Sequence, residues 1–322
     1  MKPWKLTGVD SLAQSARRQT LSARLQSGLL AAGATLCLGL ATGCVSPTPF
    51  TLKPEAVATV HRTDVRSYVP QTELKAEFLQ SGYGAGGGLI GAIVDASVTS
   101  GRRKNAEDRV QRLREEVRDV DFRTLYWEAI SNAVCATPWL KVELFAPLSS
   151  NLERVTAPTV AQGAALNIGT DYYLSQDCRV LVVSTGLGFY LQSQHKKPAA
   201  ANIVAYHSTE IGKPDGAQAI LLWTTNGAAA FRQAASEAIR ESAELVRHAL
   251  DAMGGASTNT SRPAQIRAKL LHARGDYGIK SGGVTMKGQI IEESADRIIF
   301  QAGRGPIYSL PRREVEVSPL TK

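Results

Sequence analysis

The sequence predicts an α+β protein in which long helices accompany an antiparallel β meander and a small C-terminal β-barrel-like module. Apolar residues recur at three- and four-residue spacing over 102–134 and again over 228–253, which indicates helices. Between these stretches, and again beyond residue 283, short runs of alternating or continuous apolar residues are separated by turn residues, which indicates strands. Helices and strands therefore follow one another in blocks, which is typical of an α+β fold.

Composition excludes several classes of protein. The 322 residues are 43% hydrophobic and 20% charged, as in globular proteins, so disorder of the whole chain is excluded. The 28 glycines follow no three-residue period, so a collagen-like chain is excluded as well. The length fits one large domain or two smaller ones.

The net charge of +8 is weak evidence for an acidic partner, because half of it precedes residue 44. Five basic residues and one acid precede residue 44, and removing them leaves +4. In the helical stretch 102–134, acids and bases nearly balance at spacings that form i,i+4 pairs. We therefore expect a solvated helix face there and no nucleic-acid partner.

Residues 1–43 have the parts of a secretory signal peptide. A polar, basic stretch reaches residue 28, and an uncharged, mostly apolar run follows from Gly28 to Gly43. As a helix this run spans roughly 24 Å, less than the ~30 Å hydrocarbon core of a bilayer. A short transmembrane anchor is the alternative interpretation.

The apolar run ends in Leu40-Ala41-Thr42-Gly43-Cys44, which resembles the bacterial lipobox. The resemblance implies a lipoprotein that is cleaved before Cys44 and carries acyl chains such as palmitate on that residue. Val45 stands where an aspartate would favour retention in the inner membrane. The resemblance therefore implies attachment to the outer membrane on its periplasmic side.

Residues 44–80 read as a tether, because Pro47, Pro49, Pro54 and Pro70 lie among threonines, serines and scattered charges. One strand is possible within Val57–Val69. The tether would hold the folded part of the protein away from the membrane.

A glycine-rich segment follows over 81–101, in which small residues recur every four positions at Gly84, Gly88, Ala92 and Ala96. In a helix these residues form one smooth face that permits close packing. One interpretation is a loop entering a helix that packs on its own domain. The other is a membrane-surface helix that packs with copies of itself, which would make the protein a homo-oligomer.

The main α+β domain is predicted over 102–255. Asp119 or Asp121 can cap a second helix over Phe122–Val134, which Pro138 stops. Strands follow over 140–145, 171–174, 179–190 and 201–208, with a loop and short helix over 152–167. Residues 219–225 are a short strand or the lead into a helix over 228–253, for which Asn226 is a candidate cap and which Gly254 ends.

Residues 256–265 are a linker by composition, and 266–322 are predicted to form the small β module. Strands are predicted over 283–291, 297–301 and 305–317. Their order, with a glycine turn and the run Leu310-Pro311 before Val315, resembles small SH3-like or Sm-like barrels. About 50 residues bury only a marginal core, so we expect the module to dock on the larger domain.

Two cysteines, Cys135 and Cys178, remain in the mature chain after Cys37 is removed and Cys44 is lipidated. Disulfides persist in the oxidising periplasm, so the pair is a candidate disulfide. Two buried free thiols are the alternative.

Sequence motifs give no support for catalysis, a metal or a cofactor. The five histidines are scattered singly, without His-Glu-x-x-His spacing, and there is no nucleophile elbow or Walker A motif. We therefore expect a protein that is not an enzyme.

The order helix, meander, helix resembles the periplasmic α+β domains of lipoproteins such as the curli secretion channel and penicillin-binding-protein activators. Pro138-Trp139-Leu140 and the run TDYYLS over 170–175 carry this resemblance. It implies a non-catalytic envelope lipoprotein of proteobacteria that binds protein partners or scaffolds assembly. The alternatives are a membrane-active oligomer formed through the glycine-rich helix and, second, a periplasmic hydrolase.

Overall fold

The computed structural model describes residues 50–76, 107–148, 163–191, 197–213, 216–256, 261–268, 284–303 and 305–319. All of them belong to one compact unit, Thr48–Lys322. The predicted signal peptide and lipid-attachment residue Cys44 lie outside the described residues. The predicted helix-packing positions Gly84, Gly88, Ala92 and Ala96 lie outside them too.

The described helices are α1 (Pro54–Ala58), α2 (helical over 107–116), α3 (Phe122–Cys135) and α4 (Gly216–Met253). The predicted helix over Phe122–Val134 is confirmed as α3. Its buried residues follow one stripe at four-residue spacing: Phe122, Tyr126, Ile130 and Val134. The 3₁₀ turn Pro138–Leu140 follows, because proline cannot continue the α-helix.

Asp121 caps α3, which decides between the two caps that the sequence allowed. Its side chain accepts a hydrogen bond from the backbone N–H of Thr124 at 3.0 Å and from the Thr124 hydroxyl at 2.6 Å. These hydrogen bonds hold the pKa of the Asp121 carboxyl below its usual value. Asp119 instead pairs with Arg232 at 2.7 Å, which joins the turn after α2 to α4.

Replacing Asp121 with alanine is expected to destabilise the fold by about 1 kcal/mol at pH 7, because one orphan N–H of α3 loses its acceptor. Since the folded-state pKa is lowered, the ionised cap stabilises fully above the usual value of 3.8 and is lost as pH falls through the lowered pKa. Urea unfolding of both proteins at pH 7 and at acidic pH measures this. Asp119→Ala is the control, and a larger loss for it than for Asp121→Ala would contradict the assignment of the cap.

Helix α4 is interrupted near its first third. Asn226, Gly227 and Ala228 have φ values of 54°, 64° and 59°, all in the left-handed region, and Thr225 before them is extended. The guanidinium of Arg232 donates to the Gly227 carbonyl at 2.9 Å across this break. Residues 219–224 are therefore helical and precede the break, so of the two predictions for 219–225 the lead into a helix is the correct one.

The eleven described strands form one mixed sheet in the order β11-β7-β8-β9-β10-β6-β5-β4-β1-β3, with β2 beside β4. Their bounds are β1 Thr63–Tyr68, β2 Lys75–Ala76, β3 Val142–Leu148, β4 Ala164–Leu174, β5 Leu181–Leu191, β6 Ala200–His207, β7 Arg262–Ala268, β8 Val284–Glu293, β9 Arg297–Ala302, β10 Ile307–Pro311 and β11 Val315–Ser318. Helices and a mixed sheet together make the described part an α+β fold.

The predicted antiparallel meander is confirmed as β4, β5 and β6. Two boundaries are corrected. Residues 164–167, predicted as a loop, begin β4, and residues 63–68, placed in the tether, form β1 between β3 and β4. The described end of the predicted tether is therefore part of the folded sheet, because β1 buries Val65 against the helices.

The C-terminal strands continue the same sheet, since β10 pairs in parallel with β6. Strand β7 was not predicted, because its first four residues, 262–265, were assigned to the linker. These strands have a hydrophobic cluster of their own, centred on Ile266, Ile298 and Phe300, and Ala205 of β6 belongs to it. The predicted module and the larger domain thus share one sheet.

Helices α2, α3 and α4 pack on one face of β1, β4, β5 and β6, where the main core lies. Strand residues alternate between the two faces, so Leu166 and Phe189 face the helices while Asn167 and Gly188 face away. We call the face opposite the helices the far face.

Candidate functional site

Two cross-strand rows of the far face are unusually poor in side chains. One row runs Arg66, Asn167, Gly188 and Ala201 across β1, β4, β5 and β6. The next row contains Tyr68, Gly169, Gly186 and Ile203 in the same strand order. Three glycines lie side by side in these central strands. The Tyr190 ring lies over Gly188, where its Cε2 would be 3.2 Å from an added Cβ, whereas an added Cβ on Gly186 has its nearest neighbour at 3.9 Å. Room for another molecule to approach the backbone therefore lies over Gly186.

A groove with a volume of about 420 Å³ lies over these rows. Its floor is Gly186, Gly188 and Asn167. Its other lining residues are mostly apolar: Phe50, Leu187, Tyr190, Pro198, Ala201, Asn202, Ile203, Gly305 and Pro306. Ile203 has 47% of its surface exposed, so the rim presents apolar area to solvent.

One buried polar atom on the far face of the groove lacks a hydrogen-bond partner in the described part of the chain. It is Oδ1 of Asn167, a residue that is 8% exposed. Asn202 also lines the groove, but its register partner Leu187 belongs to the main core, so its side chain lies on the helix side of the sheet. A buried unsatisfied group costs roughly 1–3 kcal/mol. Asn167 therefore offers an unused acceptor to the groove.

A second polar cluster surrounds Arg297 at the start of β9. Its guanidinium donates to Glu237 of α4 at 2.8 Å, to the Ser309 hydroxyl at 2.7 Å and to the carbonyls of His207 and Ser309 at 2.7 and 2.8 Å. Glu241 accepts from the Ser309 hydroxyl at 2.9 Å. The cluster is internally satisfied, so it joins α4, β6, β9 and β10 and offers little to a ligand.

A cavity of about 450 Å³ lies beside this cluster, between α4 and the β8–β9 hairpin. Its charged lining mixes five acids with three arginines: Glu237, Glu241, Glu244, Glu292, Asp296, Arg240, Arg297 and Arg313. The acids outnumber the arginines, and Arg297 is already paired with Glu237 and Glu241, so the lining keeps a small excess of negative charge.

The predicted disulfide is absent: Cys135 and Cys178 are both free thiols in the described chain. Cys135 is exposed at the end of α3, and Cys178 is buried in the turn between β4 and β5. Burial raises the pKa of the Cys178 thiol to about 11, which disfavours the reactive thiolate.

The direction of α3 explains why the cysteines do not meet. Phe122 at its start stacks on Tyr172 with ring centroids 4.2 Å apart, and Trp139 after its end packs on Phe189 at 5.3 Å. Since Phe189 pairs with Leu166, the helix runs back along β4, away from the turn that holds Cys178. Six strand residues separate Tyr172 from Leu166, roughly 20 Å, whereas a disulfide needs Cα atoms within about 7 Å.

No cluster of three or more metal-ligating side chains occurs among the residues that the structure describes. Within the same residues, no helix combines the length and the apolar character needed to cross a bilayer.

Tyr126 is a buried polar residue of the core. Its hydroxyl forms hydrogen bonds with the hydroxyls of Thr170 and Thr185, and burial raises its pKa to about 12.

The sequence analysis missed the residues of the groove. Asn167 interrupts the apolar run of β4, and Gly186 and Gly188 stand in the middle of β5. The two glycines inside β5 were the available signal, because glycine inside a strand indicates close approach of another group.

Comparison with known proteins adds no relative: no protein-family model, no curated protein and no solved structure matches the chain.

Proposed function

We propose that the protein is an outer-membrane lipoprotein on the periplasmic side that binds other envelope proteins and catalyses no reaction. The lipobox-like run ending in Cys44 supports the anchor, and Val45 supports the outer membrane as its destination. Several acyl chains on Cys44 would make the attachment lasting.

The groove on the far face is the main support for the proposed binding function. It combines an apolar rim, a glycine floor and the unsatisfied Oδ1 of Asn167, and a mostly apolar lining with few polar groups is typical of binding sites. In the described chain its lining includes no carboxylate, histidine or cysteine, so it supplies no general base or nucleophile. Binding is therefore favoured over catalysis at this site.

We also propose that the C-terminal strands form an SH3-like or Sm-like module. The strand order β11-β7-β8-β9-β10 and the 3₁₀ turn Arg312–Glu314 between β10 and β11 support the resemblance read from the sequence. Such a module would add rigidity beside the groove, since Gly305 and Pro306 before β10 line it.

A photoactivatable residue at Ile203, on the rim of the groove, is expected to form adducts with other envelope proteins in living cells. Leu125 is the matched control, because it is 48% exposed on α3 and lies on the opposite side of the sheet. Adducts separated by gel electrophoresis and identified by mass spectrometry should form at position 203 and not at 125.

The same cells test the anchor by incorporation of labelled palmitate. We expect Cys44→Ser to remove the label and to reduce the adducts at position 203, because the protein no longer reaches its membrane. Equal adducts at both positions, or none at 203, would contradict the binding site, and a palmitate label that survives Cys44→Ser would contradict the anchor.

A further inference from the structure

The lining of the groove on the far face sets the charge of what it binds. Within the described part of the chain, no charged side chain lines the groove, and its wall includes the apolar residues Ile203, Pro198 and Pro306. A charged group of a partner would lose its water there and find no opposite charge, which is costly. The groove is therefore suited to a neutral and mostly apolar group.

Asn167 adds one unused acceptor on the far face of the groove. Its Oδ1 is buried and finds no donor among the described residues. Asn167 is the register partner of Gly188, so it is the diagonal neighbour of Gly186 on the adjacent strand. Diagonal neighbours in a sheet lie roughly 7 Å apart, so a group of moderate size over Gly186 reaches the Asn167 side chain. Such a group satisfies Asn167 only if it carries a hydrogen-bond donor.

Gly186 provides the space for a flat ring. A Cβ built on Gly186 has its nearest neighbour, the Gly169 carbonyl oxygen, at 3.9 Å, so the backbone is open to a ligand here. Ile203, the register partner of Gly186, lies beside this space and is 47% exposed. The Tyr190 ring covers the neighbouring Gly188. A planar apolar group can therefore lie on the backbone at Gly186, next to these two side chains.

Tryptophan is the protein side chain that meets these conditions. Its indole is neutral, and it carries one N–H donor and no acceptor. Leucine or phenylalanine would leave Oδ1 of Asn167 without a donor, and lysine or arginine would bring an unpaired charge. Serine and threonine have a donor but no apolar body to fill the groove. Tryptophan is also enriched among the residues that dominate the affinity of protein–protein interfaces.

We propose that the groove binds an exposed tryptophan side chain of a partner protein, with the ring on Gly186 and the indole N–H donating to Oδ1 of Asn167. The inference rests on the proposed binding function and names the chemistry of the partner. The groove volume of about 420 Å³ lies in the range of ligand pockets, so one such side chain fits together with adjoining backbone.

The test is calorimetric titration of the purified full-length protein in phospholipid nanodiscs with acetyl-Gly-Trp-Gly-amide. The matched ligand has 3-benzothienylalanine in place of tryptophan, in which sulfur replaces the indole N–H and the ring keeps its shape. The tryptophan peptide should bind about threefold to tenfold more tightly, which corresponds to one neutral hydrogen bond. A third peptide, with leucine at this position, should bind more weakly than the tryptophan peptide.

Two variants separate the acceptor from the space above the backbone. Asn167→Ala should remove the preference for tryptophan over benzothienylalanine without lowering the melting temperature, since it removes an unsatisfied buried acceptor. Asn132→Ala is the matched control, because Asn132 is exposed on α3, on the opposite side of the sheet. Gly186→Leu should fill the groove and abolish binding of all three peptides, and thermal unfolding shows whether this variant is folded.

Equal affinity of the tryptophan and benzothienyl peptides for the parent protein would overturn the proposal, as would a preference that survives Asn167→Ala. Decan-1-ol binding that Gly186→Leu abolishes, without binding of the tryptophan peptide, would also overturn it, since the ligand would then be a lipid chain. Adducts at position 203 in cells without a preference for the tryptophan peptide would remove this inference and leave the proposed function standing.

Discussion

Replacing Arg297 with methionine is expected to destabilise the protein by about 3–5 kcal/mol. Arg297 is only 8% exposed, and its removal leaves the Glu237 carboxylate without its cation and two carbonyls without a donor. The buried Glu241 carboxylate keeps only the exposed Arg240 as a cationic partner. Breaking a buried ion pair by removing one partner carries this cost because the remaining charge stays desolvated. Urea unfolding monitored by circular dichroism measures the loss.

Arg312→Met is the matched control. Arg312 lies in the same C-terminal segment and pairs with Glu293 at 2.8 Å. Its side chain is 38% exposed, so Arg312→Met should lower the free energy of unfolding by less than about 1 kcal/mol. Adding Glu241→Gln to Arg297→Met should recover part of the loss, since a neutral amide is cheaper to bury than an unpaired carboxylate. Similar losses for the two arginine variants would show that the Arg297 cluster does not hold β9 and β10 to α4.

Replacing Gly288 with alanine is expected to lower the free energy of unfolding by about 3 kcal/mol or more. A Cβ on Gly288 would lie 1.9 Å from the Gln301 carbonyl oxygen and 2.8 Å from Cζ of Phe300, both on the paired strand β9. Backbone atoms cannot move aside as a flexible side chain does, so β8 and β9 must separate. Urea unfolding measures the change, and hydrogen exchange at the β8–β9 pairs should show where pairing is lost.

Gly186→Ala is the control for this prediction, because it places the same methyl group in a central strand with its nearest neighbour at 3.9 Å. Its stability should stay within about 0.5 kcal/mol of the parent protein. If Gly186→Ala lowered the free energy of unfolding as much as Gly288→Ala, the loss of backbone freedom would matter more than the close approach of β9.

Local pattern predicted most of the helices and the meander. Phe122–Val134 was found because its apolar residues recur at helical spacing and Asp121 precedes them, and β5 and β6 because their apolar runs are bounded by turns. These signals lie within a few residues of one another, so no knowledge of the rest of the chain is needed. β1 was not assigned to the sheet because the proline-containing residues 44–80 were interpreted as a tether with one possible strand. β7 was not assigned because the composition of 256–265 indicated a linker.

The cysteines show the limit of such reasoning. Cysteine count and the expected compartment favoured a disulfide, but α3 runs back along β4 and carries Cys135 away from Cys178. The direction in which a helix crosses a sheet depends on packing between distant segments, which spacing along the chain does not encode.

The sequence alone determined that the described chain has helices flanking a meander, that Asp119 or Asp121 caps α3, and where a lipid anchor is expected. Only the tertiary structure decided that β10 joins β6, that Arg297 is enclosed by α4, and that Arg66 comes beside Asn167 and Gly188. The reason is physical: periodicity and capping act within one turn or one strand, whereas a binding groove is made by strand register between segments up to about a hundred residues apart.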